Sequence, residues 1–380
     1  MLRIFVCTSH LSAVFMTHYA TRTRHSACRD VLIIDIGVRR ASVVRAIREV
    51  ATLHPWSILL NLSDEATEDH AFQPSLSRRL IRQWKEAPLV RDVYGALLKW
   101  HQRRYDQRMA ALLKTRLGLS GEETTTAIHI HTECQIARAL LMILPGSEVH
   151  YFEHGQGDYI YQGRAGLPQG TFHALFAAPF RRYLEAQGRS SAHVQDLGLG
   201  TDLHAFSQRL LELHGVRTPE TMADARPVVF VLLEALDMYN VPEGFWGAYM
   251  DRVIDDLERP RDHLFVLKPH PNQSPPSLAH TLSRLRERGI DHLLLAGEDA
   301  GISAEVGFAA WAPRVRHVYC IVSSACFYLS ALYPDDRITY HYSLDLLGAH
   351  IGQAPPMYTR LFRRMQPLIT EVFAEHCVPY

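Results

Sequence analysis

The sequence lacks the cysteine and histidine patterns that define metal sites and disulfide scaffolds. No CxxC pair occurs, and its six cysteines lie far apart, as Cys7, Cys28, Cys134, Cys320, Cys326 and Cys377. The 22 histidines include no HExxH spacing. This pattern argues against a zinc-binding motif and a disulfide framework, and it favours a reducing, cytoplasmic compartment.

Net charge and long apolar runs are also absent. Lysine plus arginine and aspartate plus glutamate each number 40, so the chain has no global basic field to attract nucleic acid, and none is expected as a partner. No run of 18 apolar residues occurs, so no transmembrane helix is predicted. The apolar N-terminus is interrupted by Thr8, Ser9 and His10, which predicts a strand, a loop and a helix start instead of a signal peptide.

Short apolar runs recur between longer helical patterns, which is typical of parallel sheets covered by helices on both faces. A length of 380 residues predicts two domains, because single cores stop growing well before it. The first series of predicted strands is Arg3–Cys7, Val31–Gly37, Ser57–Leu62, Ala127–His131 and Glu148–Phe152. The second series is Val228–Glu234, His263–His270, Asp291–Gly297, Val315–Val322 and Arg337–Tyr342.

The two series predict an α/β protein with two Rossmann-like domains whose parallel sheets face a cleft. A helical stretch followed by a segment with Pro, Thr and Asp separates them before residue 226, so we place the boundary there. The predicted domains are residues 1–215, on the acceptor side, and 216–357, which bind a nucleotide. Ligands of such sheets bind beyond the carboxyl ends of the strands; residues directly after each strand are therefore the candidates.

Polar groups cluster at three of these strand ends and in one segment ahead of the last. Glu153-His154-Gly155 follows the apolar "VHYF", Lys268-Pro269-His270-Pro271 follows "LFVL", Ser323-Ser324 follows "VYCIV", and Glu305 lies in "GISAEVGFAAW". Each motif alone is more often a turn or a helix cap than a catalytic group. Their joint placement at strand ends predicts one common site.

The chemistry of these residues indicates a nucleotide-phosphate site in the C-terminal half. Ser323 and Ser324 open an apolar helix, whose N-terminal N–H groups and positive dipole end suit a phosphate. Lys268 and His270 would add charge-assisted donors, and the Glu305 carboxylate could accept hydrogen bonds from ribose hydroxyls.

The reacting partner would then come from the N-terminal half, across the cleft. His154 or Glu153 would take a proton from an acceptor hydroxyl, since the unperturbed pKa of histidine is near 6.5 and suits general-base catalysis near neutral pH. Gly155 would let the backbone turn sharply and the substrate approach closely.

These motifs resemble the bacterial sialyltransferases of the GT-B fold, most closely the capsule polysialyltransferases. The segments that carry the resemblance, in the order of that family, are Val6–Leu11, Phe152–Gly155, Lys268–Pro271, Ile302–Val306 and Val322–Leu332. They span most of the chain. By analogy with transferases of this fold, residues 358–380 would form a helix that crosses back to the first domain.

The resemblance implies a role for each matched residue. His270 would be the general acid that assists departure of CMP, supported by Lys268 and Pro271, and Glu305 would bind the cytidine ribose. Ser323 and Ser324 would hold the phosphate. The acceptor side would consist of Ser9, His10, Gly155 and Asp158. The family's cleavage step uses no metal and no cofactor, and no DxD pair argues otherwise here.

One position departs from the family, whose general base is the second acidic residue of the first motif. Here that position is His154, which leaves three readings: His154 is itself the base, Glu153 or Asp158 replaces it, or the donor is different. A His-Gly pair with His-Pro and Ser-Ser motifs also resembles the CDP-glycerol glycerophosphotransferases, and CMP-Kdo transferases have similar motifs.

The sequence thus predicts an inverting, metal-independent transferase in capsule or surface-polysaccharide synthesis. It would move a nonulosonic acid from a CMP-activated donor to a hydroxyl of a glycan or glycolipid. We expect a cytoplasmic location, with peripheral contact to the inner membrane left open. Two other classes stay open: a UDP-sugar epimerase of the same two-domain shape, and a non-catalytic partner in capsule export.

Overall fold

The computed structural model describes most of the chain. The described residues are 1–35, 38, 40–62, 91–120, 126–132, 134, 136–162, 169–199, 202–215, 224–295 and 301–380. Within them, no helix is both long and apolar enough to cross a membrane.

The first sheet is parallel and has the strand order β3-β2-β1-β4-β5-β6-β7. Its strands are β1 Leu2–Cys7, β2 Arg29–Ile34, β3 Ile58–Asn61, β4 Thr126–Ile130, β5 Glu148–Phe152, β6 Thr171–Ala174 and β7 Val194–Asp196. The central strands are continuous apolar runs because helices cover both faces. The chain order reverses at β1, which lies between β2 and β4, and this switch point opens a crevice at the carboxyl ends of the strands.

The second sheet is also parallel and has the order β10-β9-β8-β11-β12-β13. Its strands are β8 Val228–Leu233, β9 Leu264–Pro269, β10 His292–Leu294, β11 Val315–Cys320, β12 Thr339–Tyr342 and β13 Cys377–Pro379. Its order reverses at β8, between β9 and β11. The two sheets therefore each present a switch-point crevice to the cleft.

Helices connect the strands in both domains. Those of the first sheet are α1 His10–Arg22, α2 Ala41–Ala51, α3 Arg91–Leu117, α4 Ala137–Ile143, α5 Gln156–Tyr161, α6 Ala177–Ala186 and α7 Asp202–His214. Those of the second sheet are α8 Phe245–Asp255, α9 Pro275–Glu287, α10 Ala304–Ala309, α11 Ser324–Leu332, α12 Leu344–Gly348 and α13 Pro356–Leu368. A π-helical turn, Ile369–Phe373, extends α13.

Two helices join the domains. The helix α7 packs on α2 of the first domain and on α10 of the second. The helix α13 packs on α5, and after it the Phe373 ring contacts Tyr159 and Phe176 of the first domain at centroid distances of 4.8 and 5.2 Å. The chain then returns to the second sheet as β13, beside β12. Packed contacts therefore join the two domains in two places.

The predicted fold class, two α/β domains with parallel sheets, is confirmed. Each predicted strand has its counterpart, although the predicted ends at Gly37 and Gly297 lie outside the described residues. The sequence analysis missed β6, β7 and β13, which have only three or four residues each. The predicted domain limits stay a prediction; residue 216 also lies outside the described residues.

Three histidines form a ladder across neighbouring strands of the first sheet. His129 stacks on Phe5 on one side and on His150 on the other, with ring centroids 4.1 and 4.7 Å away, and His150 Nδ1 lies 3.0 Å from His173 Nε2. Burial lowers the pKa of all three, that of His173 to about 4. Neither ring nitrogen of buried His129 has a hydrogen-bond partner among the described residues, which is costly.

We expect His129→Phe to stabilise the protein by about 1 kcal/mol, because it removes two buried polar atoms without partners and keeps the ring stack. In the folded protein the pKa of His129 lies below its unfolded value near 6.5. As pH falls below about 6.5, the unfolded state therefore binds a proton that the folded state does not, and the free energy of unfolding falls. The variant should therefore also lose part of the acid sensitivity. Thermal melts between pH 5 and 8 measure both effects. The control His173→Phe should be destabilised, because it removes the partner of His150; equal melting shifts in the two variants would contradict the interpretation.

Candidate functional site

A cavity of about 420 Å³ lies in the cleft, between the carboxyl ends of the two sheets. This volume is within the range of small-ligand sites. The residues predicted from sequence that line it are Ser9, His10 and His154 from the first domain and Lys268, His270, Pro271, Glu305, Ser323 and Ser324 from the second. The structure thus brings together most of the predicted site, whereas Glu153, Gly155 and Asp158 do not line this cavity.

On the first-domain wall, Asp158 holds His154. The Nδ1 atom of His154 lies 2.6 Å from Asp158 Oδ2, and the backbone N–H of His154 donates to the same oxygen at 2.8 Å. The other oxygen, Oδ1, accepts from the backbone and hydroxyl of Thr132. Despite burial, these donors and the His154 imidazole lower the pKa of Asp158. Because an ionised carboxylate only accepts, His154 carries a proton on Nδ1, and the lone pair of the neutral ring is then on Nε2.

His131, which the sequence analysis did not select, lies behind this pair. Its ring meets that of His154 edge to face at 4.2 Å, and its Nε2 lies 3.0 Å from Thr8 Oγ1. Burial first, and then the neighbouring His154, lower the pKa of His131 to about 3, so it is neutral near pH 7. Possible ligand atoms of His131, His154 and Asp158 lie within 4.8 Å of one another. Two imidazoles and a carboxylate are a donor set that zinc accepts, but the hydrogen bonds account for the arrangement without a metal.

The structure places Glu153, one of the predicted catalytic residues, in the core. Its side chain is fully buried and accepts hydrogen bonds from the Tyr159 hydroxyl and, at 2.7 Å, from the backbone N–H of Leu175. Burial raises its pKa to about 8. Glu153 therefore anchors α5 and the start of α6 and has no path to a ligand in the cleft.

The second-domain wall contains the predicted phosphate site. Ser323 is the N-cap of α11 and accepts from the Ala325 N–H at 3.3 Å. Behind this loop, Glu234 Oε1 accepts from the backbone N–H groups of Ile321, Val322 and Ser323 at 2.8, 2.8 and 3.0 Å. Burial raises the pKa of Glu234 to about 7, against these hydrogen bonds. Glu234 follows β8 directly, and the rule that selected the other strand-end residues could have found it.

Lys268 is the penultimate residue of β9 and His270 directly follows the strand, on the same wall. The Nδ1 atom of His270 accepts from the backbone N–H of Asn272 at 3.0 Å, so the proton of the neutral ring is on Nε2. Surrounding protein, together with the positive charges of Lys268 and Arg40, lowers the pKa of His270 to about 4. His270 is therefore a neutral hydrogen-bond donor at pH 7. Arg40, which the sequence analysis did not select, lines the cavity from the first domain.

Glu305 lies in the first turn of the short helix α10, buried but on the cavity wall. Burial raises its pKa, against the pull of the nearby Lys268 cation. Gly301, which precedes it, approaches the first domain closely: a Cβ at Gly301 would lie 2.6 Å from the carbonyl oxygen of Ser42. The absence of a side chain at this position lets the two domains meet at the cavity rim.

The loop after β5 and the loop after β11 touch across the cleft. Gln156 Nε2 donates to the carbonyl of Val322 at 3.0 Å. Gly155 is extended, with φ 170° and ψ 174°, and a Cβ there would meet Ser324 Oγ at 3.6 Å, an ordinary contact. The prediction that Gly155 provides a sharp, glycine-dependent turn is therefore wrong. Its place beside Ser324 nevertheless puts His154 next to the loop that precedes α11.

A chain of hydrogen bonds connects the cavity to the surface. His10 Nδ1 accepts from the backbone N–H of Ser303, in the second domain, at 3.0 Å, and its Nε2 lies 3.1 Å from His214 Nε2. His214 Nδ1 lies 2.5 Å from Glu49 Oε2. These contacts require a proton on Nε2 of His10 and on Nδ1 of His214. Burial and the neighbouring His214 and Lys268 hold the pKa of His10 far below its usual value.

We expect His214→Leu to destabilise the protein by about 1–3 kcal/mol, because it leaves the buried Nε2–H of His10 without an acceptor. The measurement is the melting temperature of both proteins, together with ¹⁵N shifts of the His10 ring. The control His280→Leu removes an exposed histidine that pairs with the exposed Glu243 and should change little. A His10 ring that is protonated on Nδ1 in the parent protein would contradict the assigned hydrogen-bond chain.

No protein-family model and no curated protein matches this chain. Solved structures are similar to it along most of its length. A UDP-GlcNAc 2-epimerase from Neisseria meningitidis bound to UDP-GlcNAc has a TM-score of 0.53 and 12% identity, over 86% of this chain and 79% of that one. S. aureus MnaA with UDP has a TM-score of 0.50 and 10% identity, over 97% and 87%. The Methanocaldococcus jannaschii UDP-GlcNAc 2-epimerase with UDP-GlcNAc and UDP has a TM-score of 0.50 and 8% identity, over 98% and 96%.

These comparisons contradict the predicted function of a CMP-nonulosonic acid transferase. The similar structures are UDP-GlcNAc 2-epimerases, the class that the sequence analysis considered as an alternative. The error has a physical reason. The motifs are of the types that suit a phosphate at a helix end opposite a histidine, and neither feature identifies the nucleobase or the sugar. The motif resemblance itself stays a prediction. At these identities the similarity shows the fold, so the chain has the two-domain α/β architecture of the GT-B type.

Proposed function

We propose that this protein is an epimerase of a UDP-activated sugar, which inverts the carbon next to the anomeric carbon. The observation that carries the proposal is one cavity lined by His154, which Asp158 orients, and by Lys268 and Ser323 of the second domain. The whole-length fold similarity to UDP-GlcNAc 2-epimerases supports this choice of reaction.

The chemistry needs a base and a stabilised leaving group, and each domain supplies one. His154 Nε2 would take the proton from the carbon next to the anomeric carbon while the anomeric C–O bond breaks, with its electrons passing to the UDP phosphate oxygen. A carbon–carbon double bond forms between the two carbons. A proton derived from solvent then adds to the opposite face, the oxygen of UDP re-adds to the anomeric carbon, and His154 releases its proton to solvent. The product is the epimer, and atoms and charge balance.

The second domain would hold the charge of the departing UDP. Lys268, the Nε2–H of His270 and the N-terminal end of α11 at Ser323 all face the cavity. Fixed donors of this kind stabilise developing negative charge without reorganisation. Glu305 would bind the ribose hydroxyls of uridine, as predicted from sequence for the ribose of a cytidine nucleotide.

Incubation with UDP-GlcNAc in D₂O, followed by proton NMR, tests the proposal. We expect the C2 epimer to appear and deuterium to enter at C2 in both sugars. UDP should also raise the melting temperature more than CMP or CDP at equal concentration, because a ligand that binds only the folded state stabilises it. No epimer and no deuterium with UDP-GlcNAc, UDP-glucose and UDP-galactose would refute the proposed reaction, and release of UDP only in the presence of a sugar acceptor would indicate a transferase.

A further inference from the structure

A second cavity, of about 480 Å³, lies on the far side of α5 from the cleft. It opens between α5, the end of α6 and the helix α13. Three arginines line it: Arg189 after α6, and Arg363 and Arg364 on α13. Neither the proposed function nor the predicted site uses any of these residues.

The arginines of this cavity have no evident structural role. Among the described residues, no carboxylate lines the cavity, and no ion pair is formed by Arg363 or Arg364. Neither lies in the last turn of α13, where a cation would stabilise the helix end. Arg189 donates one hydrogen bond, from Nη2 to the carbonyl oxygen of Gln162 at 2.7 Å. All three side chains are exposed at the cavity, and guanidinium groups that have no carboxylate in the cavity lining suit a phosphate or carboxylate ligand.

Gln162 gives an independent indication of a ligand. Its residue is only 6% exposed, it lines the cavity, and its Nε2 has no hydrogen-bond partner among the described residues. Buried amide donors are rarely left without an acceptor. Tyr183 and Gln187 add further polar groups to the same wall. The Nε2 atom itself is closed off from the cavity in this side-chain position. A rotation of the amide toward the arginines would let a neutral oxygen, as in a hydroxyl, accept from it.

We propose that this cavity binds a small anionic saccharide, whose phosphate or carboxylate contacts Arg363, Arg364 and Arg189 and whose hydroxyl accepts from Gln162. The volume fits a small molecule, and a planar guanidinium fork suits either anionic group. The site shares no lining residue with the cleft cavity. The helix α5 is nevertheless connected to both: Asp158 on this helix holds His154, and Tyr159 and Tyr161 line the second cavity.

Isothermal titration of the full-length protein with glucose 6-phosphate, glucuronate, glucose and inorganic phosphate tests the site. We expect at least one of the two sugar anions to bind, glucose not to bind, and the stronger anion to identify the charged group. Arg363→Ala/Arg364→Ala should weaken that binding at least tenfold. The control Arg360→Ala, an exposed arginine of the same helix outside the cavity, should leave it unchanged.

Two further measurements separate this site from the cleft and from a membrane surface. Gln162→Leu should weaken the sugar anion several-fold and inorganic phosphate little, and UDP affinity should be the same in every variant. Competition between UDP and the sugar anion, or equal sugar-anion affinity in the double variant and the parent, would overturn the proposal. Flotation with acidic phospholipid vesicles that depends on Arg363 and Arg364, without binding of either sugar anion, would overturn it as well.

Discussion

Replacing Asp158 by asparagine is expected to lower turnover about 10³-fold, within the usual range for loss of a positioned general base. The reason is the set of groups around the carboxylate. The backbone and hydroxyl of Thr132 donate to one oxygen, and the backbone and Nδ1 of His154 donate to the other. An asparagine amide would present its NH₂ to one of these donor pairs. The His154 ring would then lose its fixed tautomer, and Nε2 would no longer be reliably unprotonated.

The measurement is the rate of solvent deuterium exchange into the sugar, with UDP affinity as a second readout. His154→Ala should show the same loss of rate with UDP affinity retained, because the imidazole acts on the sugar and not on the nucleotide. A rate for Asp158→Asn within tenfold of the parent would show that the contact between Asp158 and His154 does not provide the general base.

Glu153→Gln is the matched control, because it changes the neighbouring carboxylate of the same motif. Burial raises the pKa of Glu153 to about 8, so near pH 7 the group is largely a neutral acid, which an amide resembles in shape. Its contacts are to Tyr159 and Leu175, away from the cleft. Turnover should stay within a few-fold of the parent. A loss as large as that in Asp158→Asn would reinstate Glu153 as the catalytic acid or base.

The general position of the site was predictable, since parallel strands bring their carboxyl ends to one edge. His270 directly follows β9, which contains Lys268, while His154 and Ser323 come two and three residues after the ends of β5 and β11; all four line the cavity. From the sequence, Glu153 was placed among the catalytic residues and Asp158 on the acceptor side, and the partner of His154 was not identified. Asp158 is four residues after His154 and lies on α5, a spacing that turns its carboxylate back to the histidine, whereas Glu153 directly follows the last residue of β5 and points into the core.

Partners far apart in sequence were beyond prediction. His131 meets Thr8 across 123 residues, and His10 meets His214 across 204. No local periodicity reports such pairs, because they depend on how two sheets and the bridging helix α7 are assembled. The identity of the nucleotide was beyond prediction for a related reason. Side chains around the nucleobase decide it, whereas the recognisable motifs are of the types that suit a phosphate.

Replacing His270 by alanine is expected to lower turnover about 10²-fold, because it removes a fixed donor to the departing phosphate. The structure also specifies which kind of donor is lost. His270 is exposed in the open cleft, and desolvation by the surrounding protein, with the cations of Lys268 and Arg40, lowers its pKa to about 4. The charged form would therefore appear only as pH falls through about 4, and the neutral ring, with its proton on Nε2, is the working species at pH 6 to 8.

Whether His270 acts as a neutral donor or as a cationic acid decides which replacement side chain can retain activity. His270→Asn keeps a neutral N–H group near the same place, so it should recover part of the rate lost in His270→Ala, with a flat dependence on pH between 6 and 8. If His270 were instead a cationic acid, asparagine would be as inactive as alanine, and the rate of the parent would fall as pH rose through the pKa of the ring. Rates of UDP-sugar turnover by the three proteins at several pH values decide between these cases, and Lys268 and the end of α11 would account for the activity that remains in the alanine variant.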